Sequence, residues 1–190
     1  VALNPQSARA AHELGVLYYE MADGSSDSPF FSFAVRTFEQ ESQLPKATLL
    51  AEQSLILIHA GHGLAVDPGW WDMLHQRLRT QPVTPQVPTS LFGLLDNRLN
   101  KGVALDDAAL LEAFVILFNR MQMPPNSYFQ VGLYALEQGN DLPLARQLLA
   151  RAWVQAADYP DYRTHMLDTL RQKGQPALAD WLPLSSAAQP

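Results

Sequence analysis

Apolar residues recur at intervals of three and four along almost the whole chain. This spacing lines up one face of an α-helix. The broadest apolar face belongs to the segment 106–121, which we therefore expect to be deeply buried. No stretch alternates apolar and polar residues for long enough to predict a β-strand. The pattern predicts an all-α fold of helical hairpins joined by short connectors.

Capping residues and prolines set the expected helix boundaries. Asp67 can accept hydrogen bonds from the first turn of a helix, and Pro68 suits its first position. Asp106 is expected to cap another helix in the same way. The predicted segments are a first helix opened by Asn4-Pro5 and ending near Asp23, then Pro29–Glu41, Lys46–His59, Pro68–Arg79, Ser90–Leu99, Asp106–Met121, Asn126–Gln138, Pro143–Ala156 and Pro160–Lys173, with a short turn over Pro176–Leu182.

Three prolines at positions 82, 85 and 88 interrupt the helical pattern. Because proline lacks a backbone N–H group and favours extended backbone, the pattern predicts an extended connector over 81–88 that forbids a helix. A surface spacer is the favoured interpretation, and a proline-rich ligand for another protein is the alternative. The expected organisation is helix pairs over 1–80, the connector, a helical region over 89–184 and a flexible tail over 185–190.

Two segments share an order of small and large residues. A large apolar residue followed by Gly lies on one helix, and Ala with a large residue four positions later lies on the next. The small residues let two helices approach, and the large ones fill the space beside them. The residues in this pattern are Leu14, Gly15, Tyr18, Ala34 and Phe38 in the first segment, and Val131, Gly132, Ala135, Ala145, Leu149 and Ala152 in the last.

This order resembles the tetratricopeptide repeat (TPR), a helix–turn–helix unit of about 34 residues. The resemblance implies a TPR-like right-handed α-solenoid whose first helices line a groove for peptides or proteins. Three of the positions that would face this groove, Phe129, Leu133 and Leu136, are better explained by packing against a neighbouring helix. The groove-facing positions implied by the resemblance are Arg9, His12, Val16, Tyr19 and Glu20 on the first helix, and Asn126, Phe129, Leu133, Leu136 and Glu137 in the last segment.

The charge is distributed unevenly along the 190 residues, whose formal net charge is −6. Residues 1–72 hold nine acidic and three basic side chains, whereas residues 73–190 hold ten of each. The acidic excess in residues 1–72 would attract a basic partner. The favoured explanation is nevertheless an ordinary solvated acidic surface. Nucleic-acid binding is not expected, because it requires a basic surface.

Sequence motifs for chemistry are absent. The chain has no Cys, which excludes disulfides, thiolate zinc sites and a cysteine nucleophile, and which suits the periplasm and the cytoplasm alike. His59 and His62 have the spacing of metal ligands, but Gly61 and Gly63 are expected to end the helix there, so a metal site is the minor alternative. We expect no catalytic residues, no metal and no cofactor, and hence a non-catalytic interaction or scaffolding domain.

Trp70 and Trp71 form a candidate binding pair. Adjacent helical side chains point about 100° apart, so one indole is expected inside and the other at the surface, where it could stack on a sugar. Burial of both is the favoured alternative. The predicted partner-binding residues are therefore Arg9, His12, Tyr19, Glu20, Trp70 and Trp71.

A second resemblance concerns the setting of the chain. The opening Val1-Ala2-Leu3-Asn4-Pro5 is similar to a repeat array cut at a boundary, as in small TPR-like domains that follow the membrane spans of bacterial glycan polymerases and oligosaccharide-transfer proteins. It implies a fragment of a bacterial envelope protein, in the periplasm or associated with a membrane through a missing segment. The alternative function is then an accessory, glycan-binding domain.

Overall fold

A computed structural model of the chain describes residues 7–44 and 49–185. These residues form α-helices and connecting turns, and no strand occurs among them, which confirms the all-α prediction. Asn4, Pro5 and Lys46, as well as residues 186–190 of the predicted tail, lie outside the described residues. The helices are α1 (Ala8–Met21), α2 (Pro29–Ser42), α3 (Leu50–Gly61), α4 (Pro68–Thr80), α5 (Gln86–Lys101), α6 (Asp107–Arg120), α7 (Pro125–Glu137), α8 (Leu142–Gln155), α9 (Pro160–Gln172) and α10 (Pro176–Ser185).

Several of the helices are preceded by a residue whose side chain caps the first turn. The Asp67 carboxylate accepts a hydrogen bond from the Gly69 N–H group at 2.8 Å, and Asp106 accepts one from Ala109 at 3.0 Å. Both predicted caps are confirmed. A side chain that accepts a backbone N–H bond in the first turn satisfies one of the four donors left free at a helix start. Ser7, Ser28 and Asp141 cap α1, α2 and α8 in the same way.

The proline-rich segment differs from the prediction. Helix α5 begins at Gln86, so Pro88 lies inside its first turn, and the expectation that residues 81–88 exclude a helix is wrong. The reason is that the first-turn N–H groups have no partner within the helix, so a proline there removes no hydrogen bond. Val87 and Pro88 are instead buried. The expected turn after Pro176 is likewise a full helix, α10.

The chain divides into two compact units, Val1–Arg120 and Met121–Pro190. In the first unit α1 packs on α2, α2 on α3 and α3 on α4, while α5 contacts α3 and α6, and α6 contacts α4. The unit is thus three successive helix pairs. In the second unit α7 packs on α8, and α10 packs on both α8 and α9. The proline-rich segment lies inside the first unit.

A glycine lies at the closest approach of the helices in two hairpins. A Cβ atom added to Gly15 would lie 2.6 Å from Phe38 Cε1, and one added to Gly132 would lie 3.1 Å from Leu149 Cγ. Phe38 and Leu149 are themselves fully enclosed. The small-against-large pairing read from the sequence therefore corresponds to direct contact in both the α1–α2 and the α7–α8 hairpin.

The helices enclose a dense apolar interior in each unit. Helix α6 is deeply buried, as its sequence predicts. None of the helices within 7–44 and 49–185 is long and apolar enough to cross a bilayer. The largest fully enclosed side chains include Phe38, Leu55, Ile56, Leu74, Leu78, Leu91, Leu94, Phe114 and Leu117 in the first unit, and Tyr128 and Tyr134 in the second.

Candidate functional site

The first unit contains a cavity of about 430 Å³ whose walls come from the first helices of its three pairs. We call it the α1–α3–α5 groove. Most of its lining is neutral and polar, with an apolar contribution from Leu50 and Pro85. Its lining residues are His12 from α1, Leu50 and Ser54 from α3, and Pro85, Gln86, Thr89 and Ser90 at the start of α5.

His12 is the side chain that α1 contributes to the α1–α3–α5 groove. Its Nδ1 atom donates a hydrogen bond to Glu41 Oε2 at 3.0 Å, and its ring contacts Phe38. The His12 side chain is 20% exposed, whereas the Glu41 side chain is completely enclosed. A buried carboxylate on α2 therefore orients an imidazole at the wall of the cavity. The repeat spacing predicts a groove position for His12, but it does not give Glu41 as the partner.

A second buried carboxylate, that of Glu52 on α3, lies close enough to Glu41 to feel its charge. Its Oε1 atom is 3.3 Å from Arg77 Nε, and among the described residues neither carboxylate oxygen has a hydrogen-bond partner. Arg77 also donates a hydrogen bond to the Ser42 carbonyl. Burial raises the pKa of Glu52 to about 7, which outweighs the opposing effect of Arg77; the charge of Glu41 adds to the rise. This carboxyl group therefore titrates close to neutral pH.

Tyr19 and His62 join α1 to the end of α3. The two side chains form a hydrogen bond between Tyr19 Oη and His62 Nε2 at 3.3 Å. Burial raises the pKa of Tyr19, so its hydroxyl remains protonated at neutral pH. Phe31 lies edge-on to His62 at 4.9 Å between ring centroids. The predicted groove residue Tyr19 is thus half-buried and engaged with an aromatic cluster.

Arg9 and Glu20 lie on the open side of α1. Both residues are exposed. Arg9 forms an ion pair with Glu13 at 2.9 Å, one turn along the same helix. Val16 lies between them and is 38% exposed. The predicted groove-edge residues of α1 therefore form an accessible strip that continues from His12.

Trp70 and Trp71 are buried, at 8% and 4% exposure. The Trp70 ring packs on His59 at 4.6 Å between centroids, and Trp71 lies 6.0 Å from His75. Burial of both indoles, the favoured interpretation, is therefore confirmed, and neither is exposed as a stacking platform. The two adjacent side chains find different neighbours because they point away from α4 in different directions.

A second cavity of about 450 Å³ lies between α2 and α4 of the first unit. Trp70 contributes to its wall, but most of the lining side chains are charged or polar and exposed at the surface. Unlike the α1–α3–α5 groove, it therefore presents Arg, Glu and Asp side chains together. Its lining residues are Arg36, Glu39, Gln40, Ser42, Gln43, Asp67, Gly69, Trp70 and Met73.

Among the groove positions that the repeat predicts in the last segment, Phe129 serves internal packing, whereas Asn126 and Glu137 are exposed. Phe129 on α7 is buried at 4% exposure and lies within 6.5 Å of the rings of Tyr162 and His165 on α9. Glu137 forms an ion pair with Lys173 at 2.6 Å. The packing interpretation is thus confirmed for Phe129. Leu133 and Leu136 are partly buried.

His59 and His62 are both engaged by protein groups. His59 Nδ1 donates to the Leu55 carbonyl at 2.9 Å, and His62 Nε2 is hydrogen-bonded to the Tyr19 hydroxyl. Within the described ranges no group of three or more His, Cys, Asp or Glu side chains is arranged to hold a metal ion.

Comparison of the chain with known protein families, with curated proteins and with solved structures found no significant match.

Sequence reasoning missed the buried acids Glu41 and Glu52. A signal was present, because each acid lies at helical spacing from enclosed apolar residues: Glu41 is three positions after Phe38, and Glu52 is four before Ile56. An acidic residue on the apolar face of a helix is buried and must find a partner. The sequence alone does not give the partners, because Arg77 is distant along the chain.

Proposed function

We propose that this chain is a TPR-like helical-repeat domain that binds a segment of a partner protein and performs no chemistry of its own. The observation that carries the proposal is the α1–α3–α5 groove, a cavity lined by the first helix of each of three successive pairs. In this proposal the helix pairs continue as a right-handed solenoid.

The chemistry of the lining supports a peptide ligand. Ser54, Thr89 and Ser90 bring hydroxyl groups, and Gln86 brings an amide. Such groups can both donate and accept hydrogen bonds, as the N–H and C=O groups of a main chain require. The volume of about 430 Å³ falls in the range of small-ligand sites, so it suits a few residues of an extended segment.

The two close-packed hairpins support the repeat architecture. Gly15 against Phe38 and Gly132 against Leu149 are contacts between the first and second helices of a pair. Each places a residue without a side chain opposite a large enclosed one, at the positions that the TPR resemblance implies.

The glycan-binding alternative loses its main argument. It rested on an exposed Trp70 or Trp71, and both are enclosed. Stacking on a sugar would require an indole to leave its packed position beside His59 or His75.

Selection from a displayed random-peptide library tests the proposal for any partner sequence. The purified chain is the bait, and enriched peptides are synthesised and measured by fluorescence anisotropy. The groove variant is Ser54→Arg, which places a long side chain in the cavity. The matched control is Ser32→Arg, because Ser32 is exposed on α2 and does not line the groove.

Enriched peptides are expected to lose about tenfold or more in affinity for the Ser54→Arg variant and to bind the Ser32→Arg variant like the unmodified chain. Thr89→Arg, at an exposed position of the same lining, is a second groove variant in case the first disturbs folding. Peptides that bind both folded groove variants with unchanged affinity would show that this groove is not the binding site.

A further inference from the structure

Among the residues that the structure describes, no Lys or Arg side chain lines the α1–α3–α5 groove. Two of its three walls, α1 and α3, belong to residues 1–72, which contain nine acidic and three basic residues. Arg9, the exposed base on α1, is already paired with Glu13. The electrostatic potential of this region therefore favours a cation over an anion.

The polar atoms of the lining can act as acceptors for a cation. A neutral His12 ring that donates from Nδ1 to the Glu41 carboxylate has its Nε2 atom as an acceptor. The hydroxyl oxygens of Ser54 and Ser90 and the amide oxygen of Gln86 are further acceptors. An ammonium group brings three donors and a guanidinium group five, and neither can accept.

The apolar part of the lining suits the rest of such a side chain. Leu50 and Pro85 stand beside the polar groups in the same cavity. Lysine and arginine bury their aliphatic stems against apolar surface while the charged end makes polar contacts. A carboxylate side chain would instead meet a negative potential.

The negative potential continues along α1, where Glu20 is exposed. Glu20 lies eight positions after His12, and it follows Val16 by one turn on the accessible strip. It is placed to attract a second basic residue of the same bound segment.

We propose that the segment bound in the α1–α3–α5 groove carries lysine or arginine, with one basic side chain seated in the cavity beside His12 and Ser54. This inference rests on the proposed function and names the chemistry of the partner.

Three labelled peptides of about ten residues with blocked ends test this inference. In each peptide Ser alternates with one other residue, which is Lys in the first, Gln in the second and Glu in the third. Binding is measured by fluorescence anisotropy at about 20 mM and about 150 mM salt. The Lys peptide is expected to bind at least about tenfold more tightly than the Gln peptide, and the Glu peptide more weakly still. Binding of the Lys peptide should weaken as salt screens the charges.

Charge-matched variants separate seating in the groove from general attraction to an acidic protein. Ser54→Arg and Ser32→Arg add the same charge, and only the first is expected to remove Lys-peptide binding. Glu20→Gln should weaken binding about threefold, whereas Glu39→Gln, an exposed acid on α2, should change it by less than about 1.5-fold. Equal effects within each pair would overturn the inference.

The library selection distinguishes the two levels of the proposal. Groove-dependent peptides enriched in Lys or Arg support both. Groove-dependent peptides without basic residues would overturn the charge inference and leave the proposed function in place. Peptides that do not depend on the groove would contradict the proposed function itself.

Discussion

The α1–α2 and α7–α8 hairpins follow the same packing rule but differ in what lies outside them. In both, a glycine of the first helix meets a large residue of the second, Phe38 in one case and Leu149 in the other. Helix α1 buries only Ala8 and Gly15 among its residues, whereas α7 buries seven of its thirteen.

The two hairpins differ in which apolar surface they leave accessible. On α7, Phe129 is covered by side chains of α9, so this face contributes to the interior of its own unit. On α1, Val16 and Leu17 are 38% and 50% exposed. The same hairpin design thus serves internal packing in one unit and leaves an accessible face in the other.

The largest expected effect concerns the large residues at the two glycine contacts. Phe38→Ala is expected to reduce the free energy of unfolding of the first unit by about 3–5 kcal/mol, because it leaves a cavity in an enclosed site. Leu149→Ala should cost the second unit about 2–5 kcal/mol. Urea unfolding with hydrogen exchange assigns each loss to its unit. A loss below about 1 kcal/mol at Phe38 would contradict the packing described for α1.

The next effect is a pH dependence confined to the first unit. The pKa of Glu52 is about 7 in the folded chain and has an ordinary value of 4.5 when unfolded. The folded state therefore keeps a proton that the unfolded state has lost, so stability falls as the pH rises from 4.5 to about 7. A shift of this size corresponds to about 3 kcal/mol.

Glu52→Gln should remove this dependence. The variant is expected to gain stability over the unmodified chain as the pH rises, with the full difference present above about pH 7 and none below about pH 4.5. Urea titrations across this range, followed by the fluorescence of the buried Trp70 and Trp71, measure it. A pH-independent difference would show that the Glu52 carboxyl titrates in its ordinary range.

A smaller effect separates the two glycines. Gly15→Ala should destabilise the first unit by about 1–2 kcal/mol, because its Cβ would lie 2.6 Å from the enclosed Phe38 ring and the cost of overpacking exceeds the helix propensity of alanine. At Gly132 the nearest atom is 3.1 Å away, so alanine should change stability by less than about 0.5 kcal/mol. Thermal unfolding compares the two. The same cost at both positions would contradict the closer approach at Gly15.

The smallest effect is expected at the open face of α1. Leu17→Gln should alter the free energy of unfolding by no more than about 0.5 kcal/mol, because half of this side chain is already in water. A cost above about 1.5 kcal/mol, measured by urea unfolding, would indicate that this face is covered in solution.

Much of the fold could be predicted because it depends on local chemistry. Asp67 and Asp106 lie next to the helices they cap, and the apolar spacing of α6 lies within a single element. The start of α5 was missed because a proline in the first turn of a helix removes no hydrogen bond. Whether Pro88 is compatible with the helix therefore depends on its position relative to the helix start, Gln86.

The candidate site could be predicted only in part. Repeat spacing places His12 and Tyr19 on one side of α1, but of the two only His12 lines the α1–α3–α5 groove. Their partners Glu41 and His62 are 29 and 43 residues away along the chain, so only tertiary packing reveals them. For Trp70 and Trp71 local geometry left two alternatives, one exposed indole or burial of both, and the favoured burial of both is observed.

The central claim is that the α1–α3–α5 groove holds a segment of a partner, and an NMR titration tests it most directly. A ¹⁵N-labelled sample is titrated with a peptide enriched from the random library, and shifted amide resonances are mapped onto the helices. We expect the largest shifts at His12, Ser54 and Ser90. Shifts that centre instead on the α2–α4 face or on α7–α10, with these three residues unchanged, would contradict the account.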